Sequence, residues 1–342
     1  MEVLGATSAE LEKLAVELGE PAYRGRQIVE WVYKKNADSF SLMTSLPAAF
    51  RGKLESAASL YRSEIIKRSK SRDGTTKYLL ELSDGQCIES VLLPYEDRVT
   101  VCVSTQVGCA AGCAFCATAM SGFIRDLTAG EIVDQVLTLQ REAGQRVTNV
   151  VFMGMGEPLL NYDEVLKSVR ILNKEVGIAM RKMTISTVGI VPRIRKLQAE
   201  GLQLTLAISL HAPDDDLRRK LIPFAEHYPL SELIPACKGY AEATGRRVTY
   251  EYLLLAGVND TPAHAERLVA LLRSSLANVN LIPYNEVAGK GYKRPSTAVV
   301  TAFRQVLEQN GIEVTQRYER GRSVAAACGQ LRARGKGTGD RE

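Results

Sequence analysis

From residue 99 onward the chain alternates short apolar runs with helical patterns, and this alternation limits its fold more than any other feature. The strand candidates are 99–104, 147–153, 182–187, 203–210, 248–255, 277–283 and 312–317. Between them lie segments such as T-A-G-E-I-V-D-Q-V-L-T-L-Q and Y-D-E-V-L-K-S-V-R-I-L, whose apolar residues recur at helical spacing. Apolar strands separated by helices form parallel βαβ units with both sheet faces covered. Six or so such units make an open or partial barrel, or a doubly wound sheet. Periodicity does not choose between them. In either architecture the ligand site lies at the C-terminal ends of the strands.

The residues before 99 read differently. Residues 8–60 are helical in pattern, with Ser8 as the expected N-cap ahead of Glu10 and Glu12. Ile28, Trp31 and Val32 recur at helical spacing, and a third helix follows Pro47. Residues 63–104 hold the short runs T-K-Y-L-L-E-L, C-I-E-S-V-L-L and T-V-C-V-S. Asp84-Gly85 between the first two signals a hairpin. A chain of 342 residues fits one large domain with an accessory domain.

Apolar residues at 45% and charged residues at 24% suit a water-soluble globular protein and argue against a disordered chain. No apolar run approaches the roughly 20 residues of a membrane span. M-E-V-L-G-A-T-S lacks a charged region followed by an apolar one, so a cytoplasmic location is expected. In that reducing compartment the seven cysteines are not a disulfide framework. Net charge is only +5, but cations gather at Arg62, Lys67, Arg68, Lys70 and Arg72, at Lys290, Lys293 and Arg294, and at Arg332, Arg334 and Lys336. Any one such cluster is usually a solvated face. Several on one chain favour a polyanionic partner such as RNA. Residues 332–342 read as a disordered tail.

The chemistry-bearing segment follows the first strand of the alternating region. V-G-C-A-A-G-C-A-F-C puts Cys109, Cys113 and Cys116 on one tight loop. Three sulfurs do not complete a structural zinc site, which takes four protein ligands. They can hold three corners of a cubane iron–sulfur cluster and leave the fourth iron open. A zinc loop, or an electron carrier with a remote fourth cysteine, is the competing reading. Polar residues also recur at later strand ends: Glu157 in G-M-G-E-P with Gly156, Ser186 in T-I-S-T-V-G, Ser209, Leu210 and His211 in A-I-S-L-H-A, and Asn285 in N-L-I-P-Y-N. Singly these are ordinary turns and helix caps, but together they match a ligand rim. Cys87 and Cys237 read as small buried hydrophobes.

The C-x3-C-x2-C loop with Phe115 resembles the radical S-adenosylmethionine (SAM) enzymes. Together with T-A-M-S-G-F-I-R, G-M-G-E-P-L-L-N-Y, Cys102 and Cys328 in A-A-A-C-G-Q-L, the chain resembles the RlmN/Cfr family of RNA adenine methyltransferases from about residue 20 to 331. The resemblance implies an α/β fold, a partial (β/α)6-type radical SAM barrel. It implies a helical RNA-binding domain over 1–62, a β-hairpin extension over 63–98, the core over 99–320 and a C-terminal segment over 321–342. It implies a [4Fe-4S] cluster on Cys109, Cys113 and Cys116, and SAM held by Gly156, Glu157, Ser186, Ser209, Leu210, His211 and Asn285.

By the same resemblance, Cys328 becomes an S-methylcysteine whose methyl carbon, after loss of a hydrogen atom, adds to adenine. Glu89 accepts the ring proton, and Cys102 releases the adduct through a transient disulfide with Cys328. Glu89 alternates within an apolar run, so an exposed strand glutamate is the bland reading. If it faces the site, burial favours proton transfer. The implied reaction is methylation of C2 of adenine 2503 in 23S rRNA and of adenine 37 in tRNAs. The implied partners are 23S rRNA, tRNA and an electron donor such as flavodoxin, with the protein a monomer and no membrane association. The C8-methylating branch has the same cysteines. A non-methylating iron–sulfur RNA-binding or redox protein is the reading from another class.

Overall fold

The structure is a computed structural model and describes residues 1–273, 275–316 and 320–333. The chain begins with helices α1 (Ser8–Glu17), α2 (Tyr23–Val29) and α3 (Ala48–Ala57). Strands β1 (Glu64–Lys70), β2 (Thr76–Glu81), β3 (Cys87–Pro94) and β4 (Val99–Cys102) come next. A short ribbon, β5 (Gln106–Gly108) with β6 (Phe123–Asp126), brackets the cysteine loop, and α4 (Ala129–Ala143) follows. The remaining order is β7 (Asn149–Phe152), α5 (Tyr162–Ile171), β8 (Met183–Thr187), α6 (Val191–Ala199), β9 (Thr205–Ser209), α7 (Asp215–Leu221) and α8 (Leu230–Thr244). It ends with β10 (Val248–Leu254), α9 (Pro262–Leu272), β11 (Ala277–Pro283), α10 (Thr297–Gln309) and β12 (Glu313–Gln316).

Each of the seven predicted strands from 99 to 317 is present, the expected end at 317 lying outside the described residues. They pair in parallel in sequence order, β4-β7-β8-β9-β10-β11-β12. A doubly wound sheet reverses its strand order partway, and this one does not. Right-handed crossovers in a sheet of constant order put all the helices on one face. The sheet therefore curls into the expected partial barrel, its concave face lined by strand side chains. β1, β2 and β3 join antiparallel to β4 and extend the same sheet to ten strands. The Asp84-Gly85 turn makes the expected hairpin between β2 and β3, with Gly85 at φ +79°.

The first helix is capped one residue earlier than expected. Thr7, not Ser8, is its N-cap, because Glu10 then occupies the third helical position and returns its carboxylate to the Thr7 N–H at 2.7 Å. The same device starts α4, from Thr128 and Glu131. The N-terminal helices share one hydrophobic core with the barrel. Tyr33 Oη accepts from the Gly5 N–H and donates to the Ala6 carbonyl, and Asn36 Nδ2 donates to the Leu137 carbonyl of α4. Arg62, expected as part of a basic surface cluster, is instead buried against Asp134 of α4 at 3.1 Å. Arg68 is likewise committed, to Glu142 at 2.7 Å. Arg334, Lys336 and most of the expected tail lie outside the described residues. Among the described residues, no helix is long and apolar enough to cross a membrane.

Candidate active site

The cysteine loop sits at the C-terminal end of β4, as strand-end logic requires, and is held from three sides. The Cys109 N–H donates to the Gly122 carbonyl at 2.8 Å, tying the loop to the β5–β6 ribbon. The Ala114 N–H donates to the Leu221 carbonyl at the end of α7. The Ala117 N–H and the Thr118 hydroxyl donate to the carbonyls of Gly329 and Leu331, at 2.8 and 2.6 Å. These last two bonds bring the segment that carries Cys328 down beside the loop. Gly108 has φ +78°, and a Cβ there would stand 1.9 Å from the Gly122 carbonyl oxygen. Gly108→Ala is expected to cost on the order of 3 kcal/mol, measured as a lowered denaturant midpoint.

All three loop cysteines line one cavity of about 140 Å³ at the mouth of the barrel. Among the described residues, no three acidic, cysteine or histidine side chains are already gathered closely enough to hold a metal ion. Burial pushes the Cys109 thiol up to about 12 and raises Cys113 well above the usual thiol value. Thiols this reluctant to ionise become ligands when a metal takes the proton's place. Three cysteine sulfurs around one cavity fit an iron–sulfur cluster. Such a cluster would use Cys109, Cys113 and Cys116, leaving one metal corner without a protein ligand.

The expected rim residues are distributed unequally. Gly156, Glu157, Ser186, Ser209 and His211 line the central cavity with the cysteines. Gly156, at φ +105°, packs so tightly that a Cβ would come within 2.7 Å of Gln106 and Thr105. Its glycine is needed for packing against Thr105 and Gln106, besides any approach to a ligand. Leu210 is fully buried, and its N–H donates to the Glu251 carbonyl. His211 adopts φ +60°, and its Nδ1 accepts from the Leu253 N–H at 3.1 Å. Its ring meets Phe115 edge-on at 5.0 Å, and burial, then the Arg218 charge, hold its pKa down at about 3. His211 is therefore a neutral wall that fixes Phe115. Asn285 does not reach the central cavity. It lines a smaller one of about 40 Å³ with Cys102, and Cys328 lines both.

Glu157 is a strongly perturbed carboxyl of the cavity. Its Oε1 accepts from the Leu159 N–H at 2.9 Å and its Oε2 from the Val188 N–H at 2.7 Å. Burial nevertheless dominates and pushes it up to about 7, from an ordinary 4.5. A folded-state value above the unfolded one means that ionisation opposes folding. The stability involved is intact below about 4.5 and is lost as pH rises through about 7. In metal-free protein, Glu157→Gln is expected to remove roughly 3 kcal/mol of the stability difference between pH 5 and 8, read from urea unfolding.

Glu89 faces inward, not to solvent: it is 5% exposed. Its carboxylate meets Lys77 Nζ at 2.8 Å and accepts the Arg332 N–H at 2.7 Å. It lines a third space, an open cleft of about 460 Å³ shared with Ala325, Gln330 and Arg332 of the C-terminal segment. Cys87 and Cys237 are buried away from these spaces, as their bland reading implies. Sequence reasoning missed two charged groups. Arg218 of α7 is fully buried and donates to the Val188 carbonyl at 2.5 Å, and Glu251 of β10 lines the central cavity. Glu251 had a usable signal, a lone acid in the apolar run T-Y-E-Y-L-L-L.

Comparison with known proteins matches this arrangement. The radical SAM superfamily profile matches residues 103–269, and that of the ribosomal RNA large subunit methyltransferase N-terminal domain matches residues 1–60. A protein of Synechocystis sp. named "Probable dual-specificity RNA methyltransferase RlmN" is 53% identical, covering 97% of this chain and 94% of its own. One of the same name from Symbiobacterium thermophilum is 51% identical, covering 96% and 91%. The crystal structure of a radical SAM methyltransferase from Sphaerobacter thermophilus superposes with a TM-score of 0.94 at 49% identity, covering 97% of this chain and 99% of that one. With the three-cysteine loop at the mouth of a partial barrel and near full-length identity of about half, the chain belongs to the RlmN family of radical SAM methyltransferases.

Proposed function

We propose that this protein methylates C2 of an adenine in 23S rRNA, and of an adenine in tRNA, using Cys328 as the carrier of the new carbon. The observation that carries the reading is the position of Cys328. It lines the cavity of the three loop cysteines on one side and that of Cys102 on the other. Adenine C2 is electron-poor, so it does not attack a SAM methyl group directly, and a carbon must be delivered to it. A [4Fe-4S] cluster on Cys109, Cys113 and Cys116, with SAM, would supply one-electron cleavage of SAM to a 5′-deoxyadenosyl radical.

The chain's own residues account for the remaining steps. Glu157, Ser186, Ser209 and His211 line the space where SAM would bind, and a SAM ammonium there would be met by the Glu157 carboxylate. Cys328, as its thiolate, takes the methyl group of one SAM, releasing S-adenosylhomocysteine; that carbon, after giving one hydrogen atom to the 5′-deoxyadenosyl radical that a second SAM would supply, bonds to C2. Glu89 takes the C2 proton, with Lys77 placing a positive charge at 2.8 Å from its carboxylate, and the one electron that the radical adduct gives up with that proton would return to the oxidised cluster. Cys102 then attacks the Cys328 sulfur. The carbon–sulfur bond breaks, its electron pair and a proton complete the methyl group on the base, and a Cys102–Cys328 disulfide remains for an external reductant. Asn285, in the Cys102 cavity, is better placed to orient that exchange than to bind SAM.

The cytoplasm is the compartment where both RNA substrates are found. An electron donor such as flavodoxin and a monomeric state complete the reading. Nucleosides from 23S rRNA and tRNA of a strain lacking the gene provide the test. Loss of 2-methyladenosine from both is expected. Its retention, or loss of 8-methyladenosine in its place, would overturn the reading.

A further inference from the structure

Three of the large exposed hydrophobic side chains fall within five residues of one another, beside the cysteine loop. Met120, Phe123 and Ile124 are 41, 47 and 55% exposed. Alternation along a strand would bury one of the adjacent pair Phe123 and Ile124. It does not, because the ribbon carries a bulge: Gly108 pairs with Phe123 and Val107 with Arg125, leaving Ile124 as the extra residue. Bulges beside active sites re-aim side chains in this way. The ribbon has only two strands, and such a ribbon is marginal alone, so exposing its apolar residues gains it nothing in stability.

The patch is rigidly mounted. The Gly122 carbonyl accepts from the Cys109 N–H, and Arg125 is tied to both Asp84 and Glu131. Arg332 Nε donates to Ser121 Oγ at 3.3 Å, so the segment carrying Cys328 clamps the turn. Met120 also lines the 460 Å³ cleft that holds Glu89. Cations stand around that cleft at Lys67, Lys77 and Arg332, and Lys67 makes no ion pair among the described residues. Apolar side chains beside a cleft lined by cations and by Glu89 are what an unpaired nucleic-acid strand requires.

We infer that Met120, Phe123 and Ile124 form a stacking platform for the unpaired nucleotides flanking the reacting adenine, with Lys67 and Arg332 holding their phosphates. The inference rests on RNA being the substrate. A reacting base must leave its stack to reach Cys328, and its unstacked neighbours need a surface to replace lost stacking. Stacking reads no base edges, so one platform serves both an rRNA and a tRNA whose flanking sequences differ.

The test uses cluster-loaded protein and RNA stem-loops carrying the target adenine, one of them with 2-aminopurine beside it. Phe123→Ala with Ile124→Ser is expected to raise the KM for RNA roughly ten-fold or more and to abolish quenching of the 2-aminopurine. Reductive SAM cleavage with dithionite should be unchanged, and Phe123→Tyr should keep the wild-type KM and quenching. An unchanged KM in the double variant would overturn the platform while leaving the methyltransferase reading intact. An unchanged KM with turnover lost only when a flavoprotein replaces dithionite would overturn it in favour of a docking face for the reductant. Wild-type protein that neither binds nor methylates the stem-loops would overturn the methyltransferase reading, and the platform with it.

Discussion

Cys328→Ala protein is expected to assemble its cluster and cleave SAM under reduction, yet leave RNA unmethylated, with activity at background. Cys328 is half-buried between two cavities, and no other thiol lines both. Its segment is held by hydrogen bonds that do not use the sulfur: Gly329 and Leu331 to the cysteine loop, and the Arg332 N–H to Glu89. Removing the thiol should therefore leave the fold intact. Cys102→Ala is expected to fail at a later point. It should form the protein–RNA bond but not release it, and protein covalently joined to RNA would accumulate on a denaturing gel. Methylated RNA from Cys328→Ala, measured by mass spectrometry, would remove Cys328 from the carbon's path.

Arg218→Met is expected to cost about 3 kcal/mol of stability, read from denaturant unfolding. The guanidinium is fully buried, with its acceptors at the Val188, Tyr228 and Ser209 carbonyls. Burial holds its pKa down, but only to about 10, so it is charged at neutral pH. Val188 links it to the site directly, accepting from Arg218 through its carbonyl and donating through its N–H to Glu157. The charge also acts on Cys113 and His211. Loss of a buried positive charge beside the thiolates should shift the cluster's midpoint potential in the negative direction, measured by redox titration followed by electron paramagnetic resonance. Arg218→Lys keeps the charge but not the fork of donors, so it should retain more of the potential than of the stability.

Much of this was readable in the chain, and the unreadable parts share a physical cause. The seven parallel strands announce themselves because each is an apolar run punctuated by a helix, and the cysteine loop is placed by the strand before it. The fate of charged residues was not legible. D-D-D-L-R-R-K-L looks like one solvated helix face, yet the first arginine turns into the core while Arg219 stays exposed with Asp216. Arg62 was misassigned for the same reason: its burial is set by Asp134, 72 positions away. Thr7 and Ser8 both carry hydroxyls, and the choice between them falls to Glu10, which completes the capping box only from Thr7. Asn285 follows the strand-end rule too literally. β11 ends at Pro283, and two further residues carry the chain past the central cavity into the one beside Cys102. The bulge at Ile124 has no sequence signature beyond Gly108 and Gly122, yet it decides that two apolar side chains face solvent.

The central claim, that Cys328 delivers the carbon to adenine C2, is tested most directly by following that carbon through one turnover. Protein methylated with SAM bearing a deuterated methyl group would be freed of that SAM, supplied with unlabelled SAM, reductant and 23S rRNA fragment, and stopped after one turnover. The account predicts 2-methyladenosine in which the deuterium comes from the protein, with the label gone from the Cys328 peptide. Unlabelled 2-methyladenosine with the deuterated methyl group still on Cys328 would contradict it.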